Sequence, residues 1–134
     1  MELTNENVLG KLVAQFGEEN IFDAYNPDGI MTFTSNRENI IALIQYLYDD
    51  KDLQVQFLTT MAGIHFPDHK GRELCMMYQL HSLRHNYRLR IKVFIPAEDP
   101  VLPTLTNIYA AANWMEREAY DFYGFIFAGH PNLI

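Results

Sequence analysis

Charged and aromatic residues crowd together most densely near the C-terminal end, in Ala111-Ala112-Asn113-Trp114-Met115-Glu116-Arg117-Glu118-Ala119-Tyr120-Asp121-Phe122-Tyr123-Gly124. A helix turns about 100° per residue, so Glu118 and Asp121 fall about 60° apart on one face and Arg117 pairs with Asp121 at i, i+4. Two carboxylates on one face suit general acid–base catalysis, and they equally suit the exposed stripe of an ordinary helix. The surrounding rings, Trp114, Tyr120, Phe122, Tyr123, Phe125 and Phe127, favour a third reading. Aromatics interleaved with arginine and carboxylates have the composition of an interface core. No nucleophile accompanies the acids, so the residues favour partner binding over catalysis.

The other candidate chemistries fare worse. His65 and His69 are four apart, as are His81 and His85. That spacing joins two imidazoles on a helix, which Pro67 forbids for the first pair. The second pair lies at a strand end, where four residues span about 13 Å. Neither has the HExxH context, so both read as surface or interface histidines rather than metal ligands. Cys75 is the only cysteine and sits in the apolar run Leu74-Cys75-Met76-Met77, where a buried, inert thiol is expected. It rules out an internal disulfide or a multi-cysteine metal cluster. The seven glycines form neither GxGxxG nor a phosphate-binding loop, and GxSxG is absent.

Charge is segregated along the chain. Residues 70–92 carry Lys70, Arg72, Arg84, Arg88, Arg90 and Lys92 against Glu73 alone, a local +5. Tyr87, Leu89, Ile91 and Val93 alternate with Arg88, Arg90 and Lys92, which predicts a strand with one apolar and one basic face. Three same-face cations are a solvated surface or a site for an acidic partner, with neither preferred. The whole chain of 134 residues has net charge −7, which disfavours a free-standing nucleic-acid binder. With 49% hydrophobic residues it is long enough for one soluble domain, 1–134, that folds without staples. The N-terminus has no secretory pattern and no run approaches a membrane span, so a reduced, cytoplasmic domain is expected.

These residues need a scaffold, and the periodicities supply one. A helix from about Thr4 to Phe16 is followed by a hairpin, Ile21–Tyr25 and Ile30–Thr34, around Asn26-Pro27-Asp28-Gly29. Ser35-Asn36-Arg37-Glu38 has the form of a capping box for a second helix through Ile40, Leu43, Ile44 and Leu47. Strands are expected at Leu53–Phe57, Arg72–Leu83 and Tyr87–Val93. Pro96, Pro100 and Pro103 then break the sheet. A last helix from about Leu105 to Tyr123 puts Ile108, Ala111, Ala112, Met115, Ala119 and Phe122 on one stripe and stops at Gly124. The order α-β-β-α-β-β-β-α predicts an α+β two-layer sandwich, helices on one face of a mainly antiparallel sheet.

The segment Asn113–Leu133, NWMEREAYDFYGFIFAGHPNL, closely resembles the signature of the 30 kDa C subunit of respiratory complex I, the proton-pumping NADH:quinone oxidoreductase. Glu116, Arg117, Glu118, Asp121, Phe122, Tyr123 and His130 match it position by position. The likeness extends upstream through Leu58-Thr59-Thr60-Met61-Ala62-Gly63-Ile64-His65 and the strand ending Leu89-Arg90-Ile91-Lys92-Val93, about two-thirds of the chain. The resemblance implies an accessory member of the hydrophilic arm, on the cytoplasmic side of the inner membrane. Its implied partners are subunits D, B and I, with the first as its dock and the other two nearby. It implies no catalytic site and no redox centre here, with FMN, iron–sulfur clusters and quinone held by partner subunits.

On that reading Glu116, Arg117, Glu118, Asp121, His130 and Pro131 serve partner binding, with Arg88, Arg90, Lys92 and Trp114 as further interface residues. Ile134 departs from the signature, which expects arginine there and a longer basic tail, so a longer natural chain is expected. The same domain type serves membrane-bound hydrogenases and ferredoxin:quinone oxidoreductases, which leaves the electron donor open. A rival of another class is a stand-alone small-molecule enzyme using Glu118 with His130, which requires a concave pocket joining them. A nucleic-acid adaptor acting through the basic strand is the third alternative.

Overall fold

The structure, a computed structural model, describes residues 3–131. Helix α1 (Asn5–Phe16) begins as expected at Thr4, whose hydroxyl accepts the Asn7 N–H at 3.1 Å. Strands β1 (Phe22–Tyr25) and β2 (Met31–Ser35) form the hairpin, closed by a tight turn at Pro27–Gly29. Helix α2 (Ile40–Asp49) starts later than the capping box implied. Ser35 ends β2 instead, and Asn36 Oδ1 accepts the Asn39 N–H at 3.0 Å in its place.

Strands β3 (Phe57–His65), β4 (Leu74–Ser82) and β5 (Tyr87–Ile95) follow. The first begins at the residue where a strand was expected to end. Leu53 and Val55 are buried, as their alternation suggested, but lie in a turn and in the irregular segment after it. Asp50 Oδ1 accepts the N–H groups of Asp52 and Leu53, and Gln54 sits at φ 47°. Those local bonds compete with a ladder and win.

The five strands lie in the order β1-β2-β5-β4-β3, antiparallel except for the central β2–β5 pair. Register places Leu74, Met76, Tyr78 and Leu80 of β4 opposite Ile95, Val93, Ile91 and Leu89 of β5 on one face. Val8 and Leu12 of α1, and Ile40, Leu43, Ile44 and Leu47 of α2, belong to the same fully buried core. Each such side chain contributes about 1.5–3 kcal/mol by leaving water. The helices thus cover one face, and the α+β sandwich of the sequence reading is present.

Two short strands were not foreseen: β6 (Val101–Pro103) and β7 (Ile126–Ala128) pair in parallel beside helix α3 (Ala112–Tyr123). This helix is shorter than its pattern suggested. The backbone N–H of Thr104 bonds to Ala128, that of Leu105 is taken by Glu116, and the Tyr109 hydroxyl donates to Val55 O at 2.9 Å. Residues 104–111 are thereby held in turns. Gly124 ends the helix in the left-handed region, φ 77°, where a Cβ would be strained.

Candidate functional site

Helix α3 lies along β3. Ala110 and Ala111, before its start, share a shallow cleft with Phe57 and Leu58, and Tyr123, at its end, lies against Gly63. A Cβ on Gly63 would come within 2.8 Å of the Tyr123 ring and 2.9 Å of Phe125, so this glycine permits the approach of helix and strand.

The inner side of the helix is set by small residues. Ala112 and Ala119 are buried at i and i+7, and Glu116 between them is 0% exposed. Its position on the buried stripe follows from the i, i+4, i+7 spacing. Glu116 Oε1 accepts the Thr104 hydroxyl at 2.6 Å, and Oε2 accepts the Leu105 N–H at 2.7 Å. The chain of bonds continues outward, because Thr104 Oγ1 accepts the Thr106 N–H at 3.1 Å. His130 Nε2 stands 3.9 Å from Glu116 Oε1 and 3.1 Å from the Asn113 carbonyl, to which only a protonated Nε2 can donate. Burial raises the Glu116 pKa above its ordinary value, opposed by the Thr104 and Leu105 donors and by His130. Together these bonds clamp α3 to the preceding turn and to the segment after β7.

Glu116 and His130 were expected to bind partners. In the structure both are interior: Glu116 accepts from Thr104 and Leu105, and His130 Nε2 faces the Asn113 carbonyl. Pro131 beside them is exposed. Leu133 and Ile134, at the end of the matched signature, lie outside the described residues.

The outer side is different. Arg117 Nε and Asp121 Oδ2 stand 3.7 Å apart at i, i+4, both about half exposed, and Glu118 is exposed with no cation within 4.0 Å among the described residues. Trp114 is 68% exposed, and Phe122 is 78% exposed although its spacing had placed it in the core. Tyr120 and Tyr123 are also open. Trp114, Glu118 and Phe122 border a groove of about 610 Å³ whose opposite wall is Thr60–Gly63 of β3. His130 does not line it, so Glu118 and His130 are not joined in a pocket as a small-molecule enzyme would need.

The face opposite the helices carries the basic strand. Arg88 is exposed, Arg90 Nε donates to Gln79 Oε1 at 3.0 Å, and Lys92 Nζ donates to the Tyr25 hydroxyl at 2.6 Å. Lys92 also stands 5.0 Å from the centre of the Tyr25 ring, and Arg72 lies 4.2 Å from that of Phe94. Aromatic and amide neighbours, rather than carboxylates, support Arg72, Arg90 and Lys92 among the described residues. Cys75 is buried on this side of β4, opposite Phe94, and desolvation pushes its thiol up to about 11. His69 stacks on Phe66 with centroids 4.8 Å apart, and His81 meets Asn86 at 3.2 Å. Among the described residues no cluster of three or more His, Cys, Asp or Glu side chains could hold a metal.

Sequence comparisons bear on this geometry. A protein at 43% identity over 105 residues is the NADH-quinone oxidoreductase C subunit of Nocardioides sp. (strain ATCC BAA-499 / JS614), covering 78% of this chain and 42% of that protein. The corresponding C subunit of Streptomyces coelicolor is 41% identical over 131 residues, 98% of this chain and 47% of its own length. The chain therefore spans less than half the length of these curated relatives. Among solved structures, the trypsin-resistant fragment (1-134) of Nqo5 superposes with a TM-score of 0.80 at 30% identity, over 96% of this chain and 98% of that one. A chain in the membrane-bound sulfane sulfur reductase, an archaeal respiratory membrane complex, shares the fold with a TM-score of 0.78 at 18% identity, over 93% of this chain and 71% of that one. Residues 33–134, which include the whole groove and the internal clamp, match the respiratory-chain NADH dehydrogenase 30 Kd subunit family, and the chain belongs to it.

Proposed function

We propose that this chain is an accessory docking subunit in the hydrophilic arm of a proton-translocating NADH:quinone oxidoreductase. Its partners there are subunits D, B and I; it docks to the first, beside the quinone-reducing module, and lies near the other two. It carries no redox centre of its own, leaving FMN, iron–sulfur clusters and quinone to partner subunits. Its seat is peripheral, on the cytoplasmic side of the membrane; no helix among the described residues is long and apolar enough to cross one.

One observation carries this reading: the outer side of α3, where Trp114, Tyr120, Phe122 and Tyr123 stand 42–78% exposed around Arg117, Glu118 and Asp121. Clustered large aromatics beside charges mark a surface that another protein covers. The inner side of the same helix is locked by Glu116, so the surface is presented on a rigid element.

Affinity purification of the full-length chain from its native membranes tests the proposal. Subunits D, B and I should accompany it, and recovery of the chain alone would end the docking reading. The shared fold of the sulfane sulfur reductase chain supports a second reading, the equivalent subunit of a membrane-bound hydrogenase or ferredoxin:quinone oxidoreductase. The identity of the co-purifying electron-input subunits separates the two.

A further inference from the structure

The two edges of the sheet are built differently. Edge strand β1 has four residues, a register shift between Phe22 and Tyr25, and Asp23 at φ 54°, features that discourage further pairing. Edge strand β3 has nine residues, Phe57-Leu58-Thr59-Thr60-Met61-Ala62-Gly63-Ile64-His65, with no Lys, Arg, Asp, Glu or Pro. From Thr60 to His65 its pairing with β4 is regular. Among the described residues, no turn, loop or side chain bonds to the outer backbone groups of β3. An uncharged, regular edge of this length is a template for another strand.

The groove runs beside that edge. It is lined by four consecutive β3 residues, Thr60–Gly63, from the regular part of the edge. Across from them stand Trp114, Glu118 and Phe122, spaced at i, i+4 and i+8 along α3. Four helical residues rise about 6 Å. Two strand residues advance about 6.7 Å. Same-side residues of a strand added at this edge would therefore repeat at nearly the spacing of these three α3 side chains. Glu118 is the only charged residue lining the groove, and no cation among the described residues neutralises it.

We infer that β3 accepts an extended segment of a different subunit as a sixth strand, bearing the pattern apolar-x-Lys/Arg-x-apolar, with its basic residue on Glu118 and its apolar residues on Trp114 and Phe122. Main-chain bonds to the edge hold the segment, and the side-chain pattern selects it. A second copy of this chain is the wrong occupant. Pairing β3 with β3 about a two-fold axis would set both α3 helices on the same side, turn Glu118 toward Glu118, and join two chains of net charge −7.

This inference rests on the docking-subunit reading, and the test reads the two separately. The full-length chain carrying Thr60→p-benzoylphenylalanine is expressed in its native host, the assembly is purified from membranes, and the sample is irradiated. The expected product is one adduct to another subunit, at a segment with a basic residue two positions from an apolar residue on each side. Glu118→Lys should lower the adduct yield by about tenfold or more while the isolated chain melts unchanged. Reversing the captured Lys or Arg to Glu should restore the yield. An intact assembly whose adduct is absent, goes to a second copy, or falls on a segment lacking the pattern would overturn the groove assignment alone. A chain that brings no subunits with it would overturn both.

Discussion

Glu116 and Glu118 are two residues apart on α3 and serve opposite ends. Glu116 is fully buried, and both its carboxylate oxygens are taken, by Thr104 and by the Leu105 backbone. Glu118 is exposed beside Trp114 and Phe122 with nothing in its own fold to pair it among the described residues. The same side chain is thus a structural part on one flank of the helix and a presented charge on the other. On the proposed docking role, a sequence signature containing both acids mixes a requirement for folding with a requirement for partners. Substitution separates the two, because one set of variants should change melting and the other should change assembly.

The largest effect is expected for Glu116→Ala. It leaves the Leu105 N–H and the Thr104 hydroxyl buried without their acceptor, opens space under α3, and strips His130 of its acidic neighbour. The loss should be about 3 kcal/mol, read as a lower midpoint in urea with an unchanged slope. A midpoint within error of the unsubstituted chain would mean that the clamp is ornamental. Gly63→Ala should follow at about 2 kcal/mol, because its Cβ would push into the rings of Tyr123 and Phe125. This variant also displaces the helix end relative to β3, so it should impair both melting and assembly.

How far these roles could be read from sequence depends on which force set each one. The basic strand Tyr87–Ile95, the hairpin around Pro27 and the close of α3 at Gly124 follow from period and turn chemistry, and they are where the patterns put them. The strand expected at Leu53–Phe57 failed because Asp50 captured two N–H groups locally, which alternation of apolar residues does not report. The start of α3 failed because long-range bonds, Thr104 to Ala128 and Tyr109 to Val55, hold residues that would otherwise continue the helix. The resemblance gives Glu116 a partner-binding role, and the structure shows its carboxylate inside the fold. The spacing of Ala112 and Ala119 around it already placed it on the buried stripe. Phe122 is the converse case, an apolar residue whose helical phase fitted the core and whose side chain is outside. Nothing in one sequence announces that β3 is an edge, since strand order is settled by β2 pairing in parallel with β5.

Acid–base behaviour sharpens the contrast. The raised pKa of Glu116 means that the folded chain holds its proton more tightly than the unfolded chain does. Its contribution is therefore fully present below the unfolded value near 4.5 and is lost as pH rises through the folded value. Glu116→Gln keeps the volume and one acceptor oxygen and removes this titration. Other carboxyls run the opposite way: Glu73 is lowered by the Ala97 N–H, and Asp50, despite its partial burial, by the Asp52 N–H and Lys11. The quantity to measure is accordingly the difference in unfolding free energy between the Gln variant and the unsubstituted chain from pH 4 to pH 8. That difference should move in favour of the Gln variant as pH rises. A difference that stays flat would assign the titration elsewhere.

The smallest effect on stability belongs to the outer charges, and its smallness is the informative result. Arg117 and Asp121 are about half exposed and 3.7 Å apart, so water and salt screen the pair. Arg117→Ala should cost about 0.3 kcal/mol, and Glu118→Gln should fall within about 0.5 kcal/mol of zero. Both variants should nonetheless be recovered from membranes with fewer partner subunits. Glu118→Gln should show the greater deficit, because Glu118 has no partner of its own among the described residues and lines the groove. A fold change as large as that of Glu116→Gln would mean that Glu118 also serves the interior. Normal assembly with either substitution would mean that the outward charges of α3 do not select partners, leaving the exposed rings of Trp114 and Phe122 to hold that surface by apolar contact alone.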